Sequence, residues 1–244
     1  MTDIKIAAND GGSFTGYLAK PAKIPAPEGA LNQNDAGLRP RAPGLVLIQE
    51  IFGVNAVMRR IADDYAAQGY LVLCPDLFWR QEPGIQITDA EMEKAFALYQ
   101  KFDSQKGVGD LMASVAALRQ HPDCNGKVGC VGFCLGGSLA YVMAANSDVD
   151  ASVSYYGIGI AGMLDMAANI KKPLMMHIAE EDSFVPKDEQ AKVKQALGGN
   201  KLVTIHSYPG IGHAFARVGG QPYDKKTADL ANQRSAAFLK TNLG

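Results

Sequence analysis

Cys134 sits in the run Lys127-Val-Gly-Cys-Val-Gly-Phe-Cys134-Leu-Gly-Gly-Ser-Leu-Ala140, at the centre of Gly-x-Cys-x-Gly. The apolar, β-branched residues before it suit a strand buried on both faces. Leu139, Val142 and Met143 after it fall at helical spacing. A thiol at a strand-to-helix turn is the nucleophile-elbow pattern with sulfur in place of oxygen. A turn that tight brings two backbones together, so a Cβ at either flanking position would collide. The middle side chain then lies beside the positive end of a helix, which lowers a thiol's pKa and offers backbone N–H groups to an oxyanion. Taken alone, the same motif also fits a small buried residue in a glycine-rich turn.

A thiol nucleophile needs a base to take its proton and an acid to orient that base. With an elbow of this kind the chain order is nucleophile, acid, histidine. Downstream of Cys134, a strand ending at Ala179 runs into Glu180-Glu181-Asp182-Ser-Phe-Val-Pro186, and the last strand runs into Tyr208-Pro-Gly-Ile-Gly-His213. Asp182, a short carboxylate just before Ser-Phe-Val-Pro, is preferred over Glu180 and Glu181, which suit solvated loop charges. His213 lies in a glycine-rich loop with no structural duty. His177 and His206 lie within strands and suit structural roles, and His121 suits a helix end, where it would meet free carbonyls. Glu50 ends a buried strand beside Ile51-Phe52-Gly53, which places it near the elbow. A charge there would raise the thiol's pKa and hold it protonated at rest. The N–H groups of Ile51 and Leu135 form the expected oxyanion hole.

The elements that must position these groups alternate along the chain. Ile4–Ile6 and Phe14–Ala19 read as an antiparallel edge hairpin. Residues 21 to 43, and 24 to 43 in particular as an insertion, read as a surface loop rich in Pro, Ala, Gly and Asn. Strands follow at Gly44–Ile48, Tyr70–Cys74, the elbow, Ala151–Tyr156, Pro173–Ile178 and Leu202–His206. Helices are expected after Asn55 (Val57, Ile61 and Tyr65 inward), over Thr88–Phe102 (Met92, Ala95, Phe96 and Tyr99 on one face), Ser104–Gln120 and Pro186–Leu197. A last helix carries Leu230, Ala231, Ala237 and Phe238 at its inward spacing. The fold class is α/β, with a mostly parallel sheet covered on both faces and the site at the strands' C-terminal ends.

At 244 residues, 47% of them hydrophobic, the chain fits one large domain over residues 1–244. Its 24 Lys and Arg against 25 Asp and Glu, with no basic block, argue against nucleic acid and anionic membranes as partners. No apolar run reaches the length of a membrane span. The N-terminus carries no secretory pattern, and the four cysteines form no disulfide framework, so a cytoplasmic location is expected. The Cys130/Cys134 spacing lacks a matching second pair, and neither a metal nor a cofactor is implied.

The segments Gln49-Glu-Ile-Phe-Gly-Val-Asn55, Cys74-Pro-Asp-Leu77, Gly107-Val-Gly-Asp110, Gly132-Phe-Cys-Leu-Gly-Gly137, Tyr155-Tyr-Gly157 and Gly212-His-Ala-Phe-Ala-Arg217 together resemble the dienelactone hydrolases, which are cysteine α/β-hydrolases. The resemblance runs from about Gly44 to Phe238. It implies Cys134 as nucleophile, His213 as base, Asp182 as its orienting acid, and Glu50 as the carboxylate that restrains the thiol until substrate arrives. Arg217 corresponds to an arginine that binds the substrate's carboxylate and draws that glutamate away. The implied reaction is hydrolysis of an enol-lactone, 4-carboxymethylenebut-2-en-4-olide, to maleylacetate in aromatic breakdown.

The chain departs from the best-known family pattern at three positions. Met92 stands where a second carboxylate-binding arginine is expected, Tyr99 where a tryptophan is, and Ala214 where a serine often follows the histidine. Losing one charge-assisted contact costs on the order of 1.5–3 kcal/mol of anion binding. Arg80 is close enough in sequence to compensate, Tyr99 and Phe184 are candidate substrate contacts, and Phe78 and Trp79 are candidates for the entrance. Two rival readings stay open: a cysteine esterase or lactonase acting on other small activated esters, and a non-catalytic ligand-binding or thiol-sensing protein. The oligomeric state is expected to be a monomer or a small homo-oligomer.

Overall fold

The computed structural model describes residues 2–22 and 41–244. Most of the 24–43 insertion lies outside the described residues. Its last part is strand, since β3 (Ala42–Ile48) begins two residues before the expected Gly44, with Ala42 opposite Cys124.

Eight strands form one sheet in the order β1-β2-β4-β3-β5-β6-β7-β8. The others are β1 (Thr2–Ala7), β2 (Ser13–Ala19), β4 (Leu71–Pro75), β5 (Cys124–Phe133), β6 (Ser152–Tyr155), β7 (Leu174–Ala179) and β8 (Val203–Tyr208). The β1–β2 hairpin is antiparallel, as its alternation predicts, and β2 runs antiparallel to β4; the strands from β4 through β8 pair in parallel. Successive strand residues point to opposite faces. Leu45, Val46, Leu47 and Ile48 are all sealed from solvent, so both faces of the central sheet are covered.

The covering helices are α1 (Ala56–Ala67), α2 (Met92–Gln100), α3 (Ser104–Gln120), α4 (Leu135–Asn146), α5 (Lys187–Leu197) and α6 (Lys225–Leu243). Asn55 caps α1 by accepting the Val57 and Met58 N–H groups, both at 3.1 Å. Three details differ from the expected pattern. The buried stripe of α1 runs through Met58, Ala62 and Tyr65, leaving Val57 and Ile61 half-buried. The expected helix over Thr88–Phe102 opens with a tight 3₁₀ turn, Asp89–Glu91, because Glu91 reaches back to the Thr88 N–H in a capping box. In α6 the inward residues are Ala228, Ala231, Ser235, Leu239 and Leu243, so Leu230 faces out. A 3₁₀ segment over Ile160–Asn169, kinked at Met163, follows β6, where no helix is expected from the sequence.

Candidate active site

β3 and β5 are adjacent and parallel, with Ile48 opposite Gly132. Two residues past each register partner come Glu50 and Cys134. The sheet therefore delivers a carboxylate and a thiol to neighbouring points at its C-terminal edge.

Cys134 joins β5 to α4 with φ 57° and ψ −114°. A positive φ at a residue bearing a Cβ is strained and persists only where its surroundings fix it. Here the packing does so. A Cβ on Gly132 would fall 1.9 Å from the Gly136 carbonyl oxygen, and one on Gly136 would fall 2.3 Å from that of Ile48. The Cys134 N–H donates to the Tyr155 carbonyl at 3.1 Å, and its own carbonyl accepts the Ser138 N–H at 3.2 Å. The elbow is locked between β3, β5 and β6.

The acid and the histidine come from the loops after β7 and β8. These loops are tied to each other, since the Glu180 N–H donates to the Tyr208 carbonyl at 3.1 Å and the Glu181 N–H to that of Ile211 at 2.8 Å. Asp182 Oδ2 lies 2.7 Å from His213 Nδ1, while its Oδ1 accepts the Phe184 N–H at 2.8 Å. An ionised Asp182 accepts a proton-bearing Nδ1, which leaves Nε2 as the basic nitrogen. Nε2 is buried and has no partner among the described residues. Glu180 and Glu181 turn outward to Lys194 and Lys187.

Glu50 is buried, as is Arg217, and Arg217 Nη1 lies 3.8 Å from Glu50 Oε2. The guanidinium also stacks over Phe52, 4.5 Å from the ring centre, and makes an ion pair with Asp89. Tyr156, itself at φ 38°, donates its hydroxyl to Glu50 Oε1 at 3.4 Å and sets its ring against His213 at 5.0 Å. Gln49 fixes the backbone there. Its Nε2 donates to the Glu50 carbonyl at 3.2 Å, and its Oε1 accepts the Leu77 N–H at 3.1 Å.

Cys134, His213, Glu50, Ile51, Arg217 and Asp89 all line one cavity of about 580 Å³, whose other walls include Phe52, Met92, Phe96, Tyr99, Ile158 and Phe184. Phe96 and Phe184 are the exposed aromatics of this set, 6.4 Å apart between ring centres. Burial pushes the Cys134 thiol well above its ordinary range, and the Glu50 charge adds to the rise, while the Leu135 N–H opposes it. The helix-end lowering expected from the elbow is thus outweighed by burial. Burial also raises the Glu50 carboxyl, against Arg217, His213 and the Tyr156 hydroxyl. The resting thiol is protonated. The arrangement can deprotonate it only through a base, and His213 lines the same cavity.

Of the residues expected at the site, Cys134, Asp182, His213, Glu50, Ile51, Leu135 and Arg217 are brought together, and Tyr99 and Phe184 line the cavity. Arg80 is not there. Its guanidinium is captured by Asp110, with Nη2 at 3.1 Å from Oδ1, and by Asp10, and it stacks on Trp79. The Asp110 carboxylate is almost fully buried and must be paired, so it holds the arginine in a structural role. Phe78 and Trp79 do not form the entrance. Phe78 is sealed against Phe102, and Trp79 stacks on Phe14 while its indole N–H donates to Asp110 at 2.9 Å. The His121 ring accepts the Asp123 N–H at 3.1 Å instead of meeting free carbonyls. Asp89 and Tyr156 are further site residues, not among those expected from the sequence. Tyr156 had a usable signal, because it directly follows a parallel strand's C-terminal end.

The strand order, the strained elbow and the paired acid and histidine on the following loops define an α/β-hydrolase. A family model described as the dienelactone hydrolase family matches residues 30–243. The chain belongs to that family and is a hydrolase. A protein of Azospirillum brasilense, provisionally named a carboxymethylenebutenolidase, is 50% identical over 100% of both chains. The carboxymethylenebutenolidase of Pseudomonas putida is 40% identical, covering 97% of this chain and 94% of its own. A crystal structure from Klebsiella pneumoniae, provisionally assigned as a dienelactone hydrolase, shares the fold with a TM-score of 0.83 at 24% identity, covering 98% of this chain and 97% of its own.

Proposed function

We propose that the protein hydrolyses a small enol-lactone of the dienelactone type, 4-carboxymethylenebut-2-en-4-olide, to maleylacetate through a cysteine acyl-enzyme. The observation that carries this reading is His213, bonded to Asp182 on one nitrogen, with the other buried and unpartnered among the described residues, in the lining of the cavity that Cys134 also lines. The name of the Pseudomonas putida relative supports the choice of lactone.

In the proposed cycle the Cys134 proton passes to His213 Nε2, and the thiolate attacks the lactone carbonyl to form a C–S bond. The Ile51 and Leu135 N–H groups hold the oxyanion, and Asp182 steadies the imidazolium. The ring C–O bond breaks to an enolate that stays within the acyl group, takes the proton back from His213 and becomes the ketone. Water, activated by His213, then splits the thioester and returns the thiol. An enolate is a good leaving group, so a thiol suffices where an alkyl ester or amide would demand more. Arg217, already 3.8 Å from Glu50, receives the substrate's carboxylate. The four unpaired cysteines support a reducing, cytoplasmic setting.

The test is loss of dienelactone absorbance with purified protein, compared with turnover of p-nitrophenyl acetate. The reading predicts lactone turnover that Cys134→Ala abolishes. Turnover of the ester alone would move the assignment to a cysteine esterase.

A further inference from the structure

Arg217 is already matched before any substrate arrives. Its guanidinium faces three neighbours: Glu50 at 3.8 Å, the Phe52 ring at 4.5 Å, and Asp89 in a direct ion pair. Two of these cannot yield. Glu50 is sealed at the end of β3 and held by the Tyr156 hydroxyl, and Phe52 is part of the core. Arg217 itself is anchored, with its N–H on the Ala214 carbonyl at 3.0 Å and its carbonyl accepting the Gly220 N–H at 3.1 Å. Asp89 differs. Its side chain is 51% exposed, and it stands at the start of a short 3₁₀ turn on the cavity rim. A carboxylate so placed exchanges an arginine for water at little cost.

We propose that Asp89 is a specificity-determining residue, a displaceable counter-ion that occupies the anion-accepting side of Arg217 and must give way to a substrate's carboxylate. The inference rests on the reading of Arg217 as the substrate-carboxylate partner. An anionic lactone either displaces Asp89 into solvent or binds beside it against like charge, and both routes weaken its binding. A neutral ester or lactone faces neither. Asp89 therefore sets the preference between anionic and neutral substrates and takes no part in bond making. With Met92 supplying no second cation on the same wall, this one competition decides how well the cavity holds an anion.

The test compares kcat and KM for dienelactone and for p-nitrophenyl acetate in the wild type, Asp89→Asn, Asp89→Ser and Asp89→Glu. For Asp89→Asn and Asp89→Ser, the ratio of kcat/KM for the anion to that for the neutral ester should rise about tenfold, through a lower KM for the anion. Asp89→Glu should return the ratio toward the wild type. In an Arg217→Gln background, Asp89→Asn should no longer raise the ratio, since the group competed for is gone. A ratio that stays level or falls in both Asp89→Asn and Asp89→Ser, while Arg217→Gln still weakens dienelactone binding, overturns the counter-ion role alone. If Arg217→Gln leaves dienelactone KM untouched, the reading of Arg217 fails and the counter-ion role fails with it.

Discussion

Arg217 Nη1 lies 3.8 Å from Glu50 Oε2, and both side chains are buried at the C-terminal edge of the sheet. That spacing is loose for an ion pair between buried groups. The arginine opposes the burial that raises the Glu50 carboxyl without closing a tight fork on it, and the Glu50 charge acts on the thiol at a distance. Burial works in the same direction on the thiol, and the resting thiol keeps its proton.

Removing the carboxylate should therefore release the thiol in part. Glu50→Gln should speed alkylation of Cys134 by iodoacetamide at neutral pH by about tenfold, equivalent to one pK unit. The alkylation profile should move to lower pH, because the like charge that opposed the thiolate is gone. An unchanged profile would mean that burial alone sets the thiol's proton affinity.

Asp182 and His213 should behave as one unit. His213→Ala should lower kcat by about 10²–10⁴-fold, the usual contribution of a positioned general base. Asp182→Asn should fall in the same range, since its amide N–H can donate to Nδ1 and favour the wrong tautomer, and it carries no charge to stabilise the imidazolium. The double variant should lose little beyond the worse single one. Steady-state kinetics on the lactone with circular dichroism controls would check this.

The elbow makes its own demand on Gly136. A Cβ there would meet the Ile48 and Gln49 carbonyl oxygens at 2.3 and 2.7 Å, both of them backbone atoms that cannot step aside. Gly136→Ala should destabilise the fold by about 1–3 kcal/mol and shift the β3 end that carries Glu50 and Ile51. Thermal unfolding alongside residual activity would show both effects.

His177 predicts the acid limb of stability. Its ring is buried between the Tyr208 hydroxyl at 2.8 Å and Ser235 Oγ at 2.9 Å. Burial first, then the charges of His206 and Arg234, push it down to about 3 from its ordinary 6.5. The unfolded chain takes up that proton near 6.5, and the folded chain waits until about 3. Stability should thus decline as the pH falls through that window and stop declining from this cause below it. In His177→Leu the slope should flatten, at a cost of about 1–3 kcal/mol near neutrality from the hydroxyls left without a ring partner. Urea unfolding at a series of pH values would measure both.

The parts of the site legible in the sequence are those whose function forces a local pattern. Cys134 needs glycines on both sides, and Asp182 and His213 need loops just after strands, so each left a signature at fixed spacing. Glu50 was placed by the same rule, as a carboxylate at a buried strand's end. Arg80 was misplaced because nothing along the chain shows that Asp110, on α3, is buried and must be neutralised. Asp89 is not legible in the sequence for the converse reason. An acidic residue opening a helix is commonplace at a cap, and only the tertiary fold sets it against Arg217. The same holds for the inward stripe of α6, where small residues face the sheet and Leu230 faces out.

The most direct measurement is intact-mass and peptide analysis of protein quenched during turnover of an activated ester or the lactone, in the wild type and in His213→Asn. The predicted result is a mass increase equal to the acyl group on the peptide carrying Cys134, accumulating further in His213→Asn if that variant is acylated by the activated ester, because the thioester lacks its base for hydrolysis. Acyl mass on a different residue, or full turnover by Cys134→Ala, would contradict the cysteine acyl-enzyme.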